Sequence, residues 1–387
     1  MSIAFIDLQA QRKRIADKID KAIAAVLEDG RFVMGPWVGE FETQLATFGK
    51  SKRALSCANG TDALALALMA WEIGEGDAVF CPSFTFVATA EVIPWVNATP
   101  VFVDILPDTY NIDPASLEAA IEDVKRKGQL TPKAIIAVDL FGQPADYPAI
   151  AAIAKKHGLK LIADSAQGFG CTLGGEHPGR WADVSCTSFF PAKPLGCYGD
   201  GGAVLTDDDA MWDRMDSLRV HGKAGAVDIR ERTFEHDPKY LNVRVGLNSR
   251  LDTIQAAILI EKLAIFAEEI DLRNIVAARY NDLLANVCVT PKVIDGGVST
   301  WAQYVIEIAD RDGLAAHLRS KGIPSAVYYP IPIHQQGPYA AYPTAPGGLP
   351  VTDAKASEVI ALPMHPYLDA ATQDRIAAEI RAFAGVA

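Results

Sequence analysis

The stretch Ser188-Phe189-Phe190-Pro191-Ala192-Lys193-Pro194-Leu195-Gly196 decides how this chain folds. It lies between two short apolar runs, 183–189 and 202–206, that read as β-strands. Two aromatics and two prolines surround its lysine, and glycines follow at 196, 199, 201 and 202. The nearest charged residues in sequence are Asp183 and Asp200. Pro and Gly mark turns, so a surface turn is one reading. A reactive amine is the other. A lysine kept from water loses its preference for the protonated form, and the free amine is the nucleophile that makes Schiff bases. The segment by itself leaves both open.

Alternation of strands and helices runs outward from this loop. Short apolar runs at 78–81, 100–103, 134–139 and 160–163 fit buried strands of a mostly parallel sheet. Helical patterns at 15–28, 39–48, 115–126 and 146–157 supply helices, the last two as crossovers. Asn59-Gly60-Thr61-Asp62 opens a helix through Trp71 that is apolar nearly all round, hence buried. Residues 222–240 are polar and read as a loop or flap. A long helix is expected over about 250–285, with allowance for one break. A smaller α+β unit follows: strand 303–308, helix 311–321, strand 324–329, a Pro-rich loop 330–350 and a last helix 370–384. The expected architecture is α/β, with a large domain over 1–250 and the long helix plus a small C-terminal domain over 251–387.

Composition narrows the function. Half of the 387 residues are hydrophobic and 22% are charged, which suits a globular chain of two or three domains. No apolar run reaches the length of a membrane span. The start, MSIAFIDLQAQRKR, has no small-residue cleavage site, and the six cysteines form no CxxC pair. Both point to a cytoplasmic protein with reduced thiols. The seven histidines show no paired ligand spacing, so no metal is expected. The net charge is −12 without a basic cluster, which excludes a nucleic-acid face.

Four further segments look chemical. Gly60-Thr61-Asp62, at a helix start, offers N–H groups and a hydroxyl to a phosphate, or is an ordinary cap. Asp164-Ser165-Ala166-Gln167 follows the strand Leu161-Ile162-Ala163, and ligands of α/β sheets bind at such strand ends. Pro82-Ser83-Phe84-Thr85-Phe86 offers an aromatic at another strand end. Asn248-Ser249-Arg250-Leu251-Asp252 stands at the start of the long helix. Together with Lys193 these meet the needs of pyridoxal 5′-phosphate: a lysine for its aldehyde, a carboxylate for its ring nitrogen, a phosphate cup and an aromatic over the ring. The G-x-G-x-x-G of dinucleotide binders is absent, as is a P-loop.

Across essentially its whole length the sequence resembles the DegT-type nucleotide-sugar aminotransferases, a branch of fold-type-I pyridoxal phosphate enzymes. The resemblance rests on FIDLQAQ, NGTDAL, PSFTFVATAE, VFVDI, DSAQ, SFFPAKPLGCYGDGGA, VGLNSRLDTIQAAIL and LPMHPYL in that order. SFFPAKPLGCYGDGG with NSRLD is most similar to enzymes that aminate C3 of a UDP-linked 3-keto-hexuluronic acid for surface polysaccharides. The resemblance implies that Lys193 carries the cofactor, Asp164 pairs with its ring nitrogen and Gln167 lies near its ring hydroxyl. It implies Gly60, Thr61 and Ser188 at the phosphate and Phe86 stacked on the ring. Asn248 would complete the phosphate cup of a neighbouring subunit, and Arg250 would meet the anionic sugar nucleotide, which implies a homodimer with shared sites. Tyr328 and Tyr329 would approach the substrate; Tyr328 stands where close relatives carry histidine. The amino donor would be an amino acid, L-glutamate above all. Three alternatives stay open: an aminotransferase acting on another sugar, such as a dTDP- or GDP-linked 3- or 4-keto sugar; a non-catalytic regulator on the same fold; and a sugar dehydratase, against which the intact lysine speaks.

Overall fold

Seven strands form the central sheet of the computed structural model, which describes residues 3–225, 228–229 and 240–386. They are β1 (Arg53–Cys57), β2 (Asp77–Pro82), β3 (Thr99–Val103), β4 (Thr131–Val138), β5 (Lys160–Asp164), β7 (Val184–Ser188) and β8 (Gly202–Thr206). A two-residue β6 (Thr172–Leu173) pairs elsewhere, with β9 (Gly297–Val298). The spatial order is β1-β8-β7-β5-β4-β2-β3. Only β8 runs against the rest, since it pairs antiparallel with both β1 and β7. The fold is therefore α/β around a mostly parallel mixed sheet. The strands are buried along most of their length, as helices on both faces require.

This topology gathers strand ends on one edge. Cys57 of β1 and Ser188 of β7 both stand opposite Gly202, the first residue of β8. Asp164 closes β5 on the same edge, because β5 and β7 are parallel. The helix Gly60–Ala70 begins directly after β1, and Ala63–Leu68 are all buried under the sheet. Its cap is Asn59, whose side chain accepts the N–H of Asp62 at 2.8 Å. A side chain at Gly202 would meet the Asn59 carbonyl oxygen at 2.3 Å, so this close approach needs glycine.

The long helix Thr253–Leu284 is continuous. At 32 residues it spans about 48 Å and serves two cores. Its first half packs with Phe41, Phe169 and Phe189, and its second half with Tyr304, Leu314 and Ile376. The second core is built on β10 (Tyr304–Glu307) paired with β11 (Val359–Leu362), and on the helices Arg311–Ser320 and Ala370–Ala384. The strand expected at 324–329 reduces to one bridge, Ala326 with Ala361. Pro324 has no N–H to give, and Tyr328 and Tyr329 leave the sheet to line a cavity. Most of the expected 222–240 flap, 226–227 and 230–239, lies outside the described residues. Among the described residues no helix is long and apolar enough to cross a membrane.

None of the six cysteines pairs, and Cys57, Cys81, Cys171 and Cys186 are buried in the sheet and its surroundings. Burial pushes their thiols up. The unfolded chain ionises its thiols near pH 8.5 while the folded chain keeps them protonated, so folding stability falls as pH rises above that value, by about 2 kcal/mol per buried thiol at pH 10. Lys262, whose amine is pushed down to about 8 by burial, acts in the opposite direction as a single group. The unfolding midpoint in reducing buffer should therefore drop between pH 8 and pH 10, and Cys81→Ala should make that drop shallower. A midpoint flat across this range would contradict the account.

Candidate active site

A cavity of about 460 Å³ opens at the edge where the strands end. Asp164 is 5% exposed on its floor. Its Oδ2 accepts from Thr89 Oγ1 at 2.8 Å and its Oδ1 from the Ala166 N–H at 3.2 Å. Burial pushes its carboxyl up, while Thr89, the Ala166 N–H and the charge of Lys193 pull it back down. Thr89 is set by the helix Ala88–Trp95 and is bonded in turn to Thr85 Oγ1 at 2.9 Å.

Lys193 faces this carboxylate. Desolvation lowers its amine from the usual lysine range, and Asp164 opposes the drop. Its loop is tied down at several points. The Lys193 N–H donates to Phe190 O at 2.8 Å, Cys197 N–H to Phe189 O at 2.8 Å and Phe189 N–H to Gly201 O at 2.7 Å. Lys262, reaching from the long helix, donates to Gly196 O at 2.6 Å. Phe189 anchors the loop in the core against Phe41 and Phe169. Behind the loop, Pro191 and Pro194 border a buried polar cluster that includes Gln11, Arg273 and His365. There Glu269 accepts from Gln11 and Tyr367, and burial pushes His365 down to about 4, so that it is neutral. This places the LPMHPYL segment behind the lysine.

On the other wall, Gly60 and Thr61 meet Ser188. A side chain at Gly60 would strike Ser188 Cβ at 2.6 Å. The N–H groups of Gly60 and Thr61 belong to the first turn, where helix geometry leaves donors without an intrahelical acceptor. These donors, with the hydroxyls of Thr61 and Ser188, suit an oxyanion such as phosphate. Phe86 remains 51% exposed at the cavity, an apolar ring with a free face. Gln167 donates from Nε2 to the Tyr329 hydroxyl at 3.0 Å and accepts the Phe141 N–H on Oε1 at 2.8 Å.

Nine of the residues singled out in the sequence line this cavity: Lys193, Asp164, Gln167, Gly60, Thr61, Ser188, Phe86, Tyr328 and Tyr329. Asn248 and Arg250 do not. Asn248 is exposed and bridges Val220 ahead of the long helix. Thr89, Asp200 and Gln303 also line the cavity and were missed. Thr89 carries no local signal of its role, since the Thr85 hydroxyl that bonds it lies before the helix Ala88–Trp95 and Asp164 is far along the chain. Behind Asp164 a second carboxyl, Asp139, is fully buried and pushed up to about 7 by burial. It accepts from Ser165 Oγ at 2.5 Å and Tyr147 OH at 2.8 Å, which fixes the residue following Asp164. Elsewhere Glu118, Glu122 and His157 bring ligand atoms within 4.8 Å, but Lys156 already pairs with Glu118 there.

A buried carboxylate, a desolvated lysine, an oxyanion cup that a side chain at Gly60 would fill, and an uncovered aromatic ring fit pyridoxal phosphate. The model of the DegT/DnrJ/EryC1/StrS aminotransferase family matches residues 13–381. The chain belongs to this family. It is 48% identical to the UDP-2-acetamido-2-deoxy-3-oxo-D-glucuronate aminotransferase of Pseudomonas aeruginosa, over 96% of this chain and 97% of that one. A DegT/DnrJ/EryC1/StrS aminotransferase from Brucella abortus superimposes with a TM-score of 0.94 at 50% identity, covering 99% of this chain and 100% of that one. NtdA from Bacillus subtilis, with bound cofactor PMP, superimposes with a TM-score of 0.84 at 26% identity, covering 99% of this chain and 85% of that one.

In Gly60→Ala the new methyl must displace Ser188 from the cup. Affinity for pyridoxal phosphate should fall roughly tenfold or more, about 1.4 kcal/mol, in an absorbance titration. Circular dichroism should show the fold retained. Unchanged affinity would mean that the cup does not hold the phosphate.

Proposed function

We propose that this family member uses pyridoxal phosphate to move an amino group from L-glutamate to C3 of a UDP-linked 3-keto-N-acetyl-hexuluronic acid. The place of this step is the cytoplasm, in the making of surface polysaccharide. The observation that carries the catalytic part is the mutual charge interaction of Lys193 and Asp164 inside one cavity. The substrate part rests on the 48% identity to an enzyme named for a UDP 3-oxo-glucuronate.

When bound, the cofactor supplies an electron sink for the carbon that gains or loses a proton. The chain's residues do the rest. Lys193 would hold the cofactor through its amine and, once freed, would carry the proton between donor and sugar; desolvation lowers its proton affinity from the usual lysine range, which favours the free amine. Asp164, held by Thr89, would keep a proton on the ring nitrogen. Gln167 would lie by the ring hydroxyl, Phe86 would cover the ring, and Gly60, Thr61 and Ser188 would hold the phosphate. Tyr328 and Tyr329 face the sugar from the C-terminal part of the chain, taken as 251–387 against a cofactor-binding part of 1–250.

Lys193 is the only cationic residue among the described residues that line the cavity. An anionic sugar nucleotide needs more positive charge than that. Arg250 and Asn248, outside their own cavity, are therefore assigned to the cavity of a second copy, in a homodimer with shared sites.

Borohydride reduction of the holoenzyme followed by peptide mapping should label Lys193 alone; a label on another lysine overturns the assignment. Lys193→Arg should fold and lose roughly 10²–10⁴-fold in turnover. A panel of UDP-, dTDP- and GDP-linked 3- and 4-keto sugars, run with glutamate and scored by product mass, tests the substrate. Amine formation on the UDP 3-keto uronate is expected. Loss of water without gain of nitrogen would assign a dehydratase.

A further inference from the structure

The segment that leads into the long helix is tied to the oxyanion cup of its own chain by a serine that does not line the cavity. Ser249 is fully buried, between the exposed Asn248 and the half-buried Arg250. Its Oγ accepts the Ala58 N–H at 3.1 Å. Its own N–H donates to Arg219 O at 2.9 Å. Ala58 directly precedes Asn59, Gly60 and Thr61, which all line the cavity.

Arg219 grips the same stretch two residues earlier. Its buried guanidinium donates to Ser56 O and to Glu42 Oε1, both at 2.6 Å. Glu42 Oε1 in turn accepts the Ser56 N–H and the Ser56 hydroxyl, each at 2.8 Å. Both backbone groups of Ser56 are thus held by a buried ion pair, an arrangement costly to break from one side. Arg219 and Ser249, bonded to each other through their backbones, form a two-point clasp on Ser56–Ala58. The chain then turns into the helix start, where Asn59 is extended and caps the first turn.

We infer that Ser249 is a positioning residue for the cofactor's phosphate: it fixes Ala58, and through Ala58 the Gly60 and Thr61 donors of the cup. This deepens the proposed cofactor role and rests on it. Donors aimed at an oxyanion bind it well only when their directions are set beforehand. A backbone N–H held by a fixed acceptor sets where the next residues begin. Without the Ser249 hydroxyl, Ala58 is free to move, and so is the spacing of the first turn against Ser188. That spacing is tight, since a side chain at Gly60 would strike Ser188 Cβ at 2.6 Å.

The test titrates the full chain, freed of cofactor, with pyridoxal phosphate and with pyridoxal, which lacks the phosphate. Absorbance follows binding to the unsubstituted protein and to Ser249→Ala. The unsubstituted protein should bind pyridoxal phosphate far more tightly than pyridoxal; equal affinities there would defeat the cup itself rather than Ser249. With that difference established, Ser249→Ala should weaken pyridoxal phosphate roughly five- to tenfold and pyridoxal by less than about twofold. Inorganic phosphate should compete less well by the same factor, and unchanged competition overturns the inference. So does no loss for pyridoxal phosphate, or an equal loss for both aldehydes, which marks a general loosening of the fold. The comparison is repeated in Asn248→Ala, because Asn248 adjoins Ser249 and is assigned to the cup of a second copy. The loss caused by Ser249→Ala should persist there. Its disappearance overturns the inference, since Ser249 would then act through Asn248.

Discussion

Lys193 and Asp164 face each other in one cavity, the carboxylate buried and the lysine partly exposed, and most of the molecule is arranged around that fact. Each charge is made costly by burial and tolerable by the other. Neither could be held this way by a surface loop. Asp164 needs the end of a buried parallel strand and the Thr89 hydroxyl; Lys193 needs a loop fixed at Phe189, Gly196 and Gly201. Desolvation lowers the amine's proton affinity, Asp164 offsets part of that drop, and the same carboxylate supplies the negative charge that a protonated ring nitrogen would meet.

The edge that carries the pair works because backbone segments come unusually close. Gly202 lets the Asn59 carbonyl pass above β8, and Gly60 lets the next helix start against Ser188. With Asn59 as the cap, the hydroxyl of Thr61 is spared from capping and can face the cavity. The single antiparallel strand β8 matters equally. It starts at the edge at which β1, β5 and β7 end, so the lysine loop joining β7 to β8 stays on that edge and shares one cavity with the residues that follow β1 and β5.

Much of this was legible in the residues. Buried strands read as apolar runs because both sheet faces are covered, and β2 through β5 lie within a few residues of where the pattern placed them. The helices at 88–95, 209–219 and 350–358 were not read. Pro94 interrupts the first, the second is mostly polar and charged, and the third lies at the end of a Pro-rich stretch. The strand read at 324–329 failed for a different reason: beyond the Ala326 bridge, Tyr328 and Tyr329 serve the cavity wall instead of a ladder.

The sequence by itself determined the lysine in its Pro and Gly setting, the carboxylate after an apolar strand, and the Gly-Thr helix start, because those are local patterns whose chemistry does not depend on distant partners. Only the tertiary structure decided that they share one cavity, that Thr89 and Asp139 support Asp164 from either side, and that Gln303 lines the same cavity. Those facts depend on strand order and on contacts between segments that are not neighbours in sequence. Periodicity carries no information about which strand lies beside which, and a lone glutamine before a strand carries no mark that it will line the cavity.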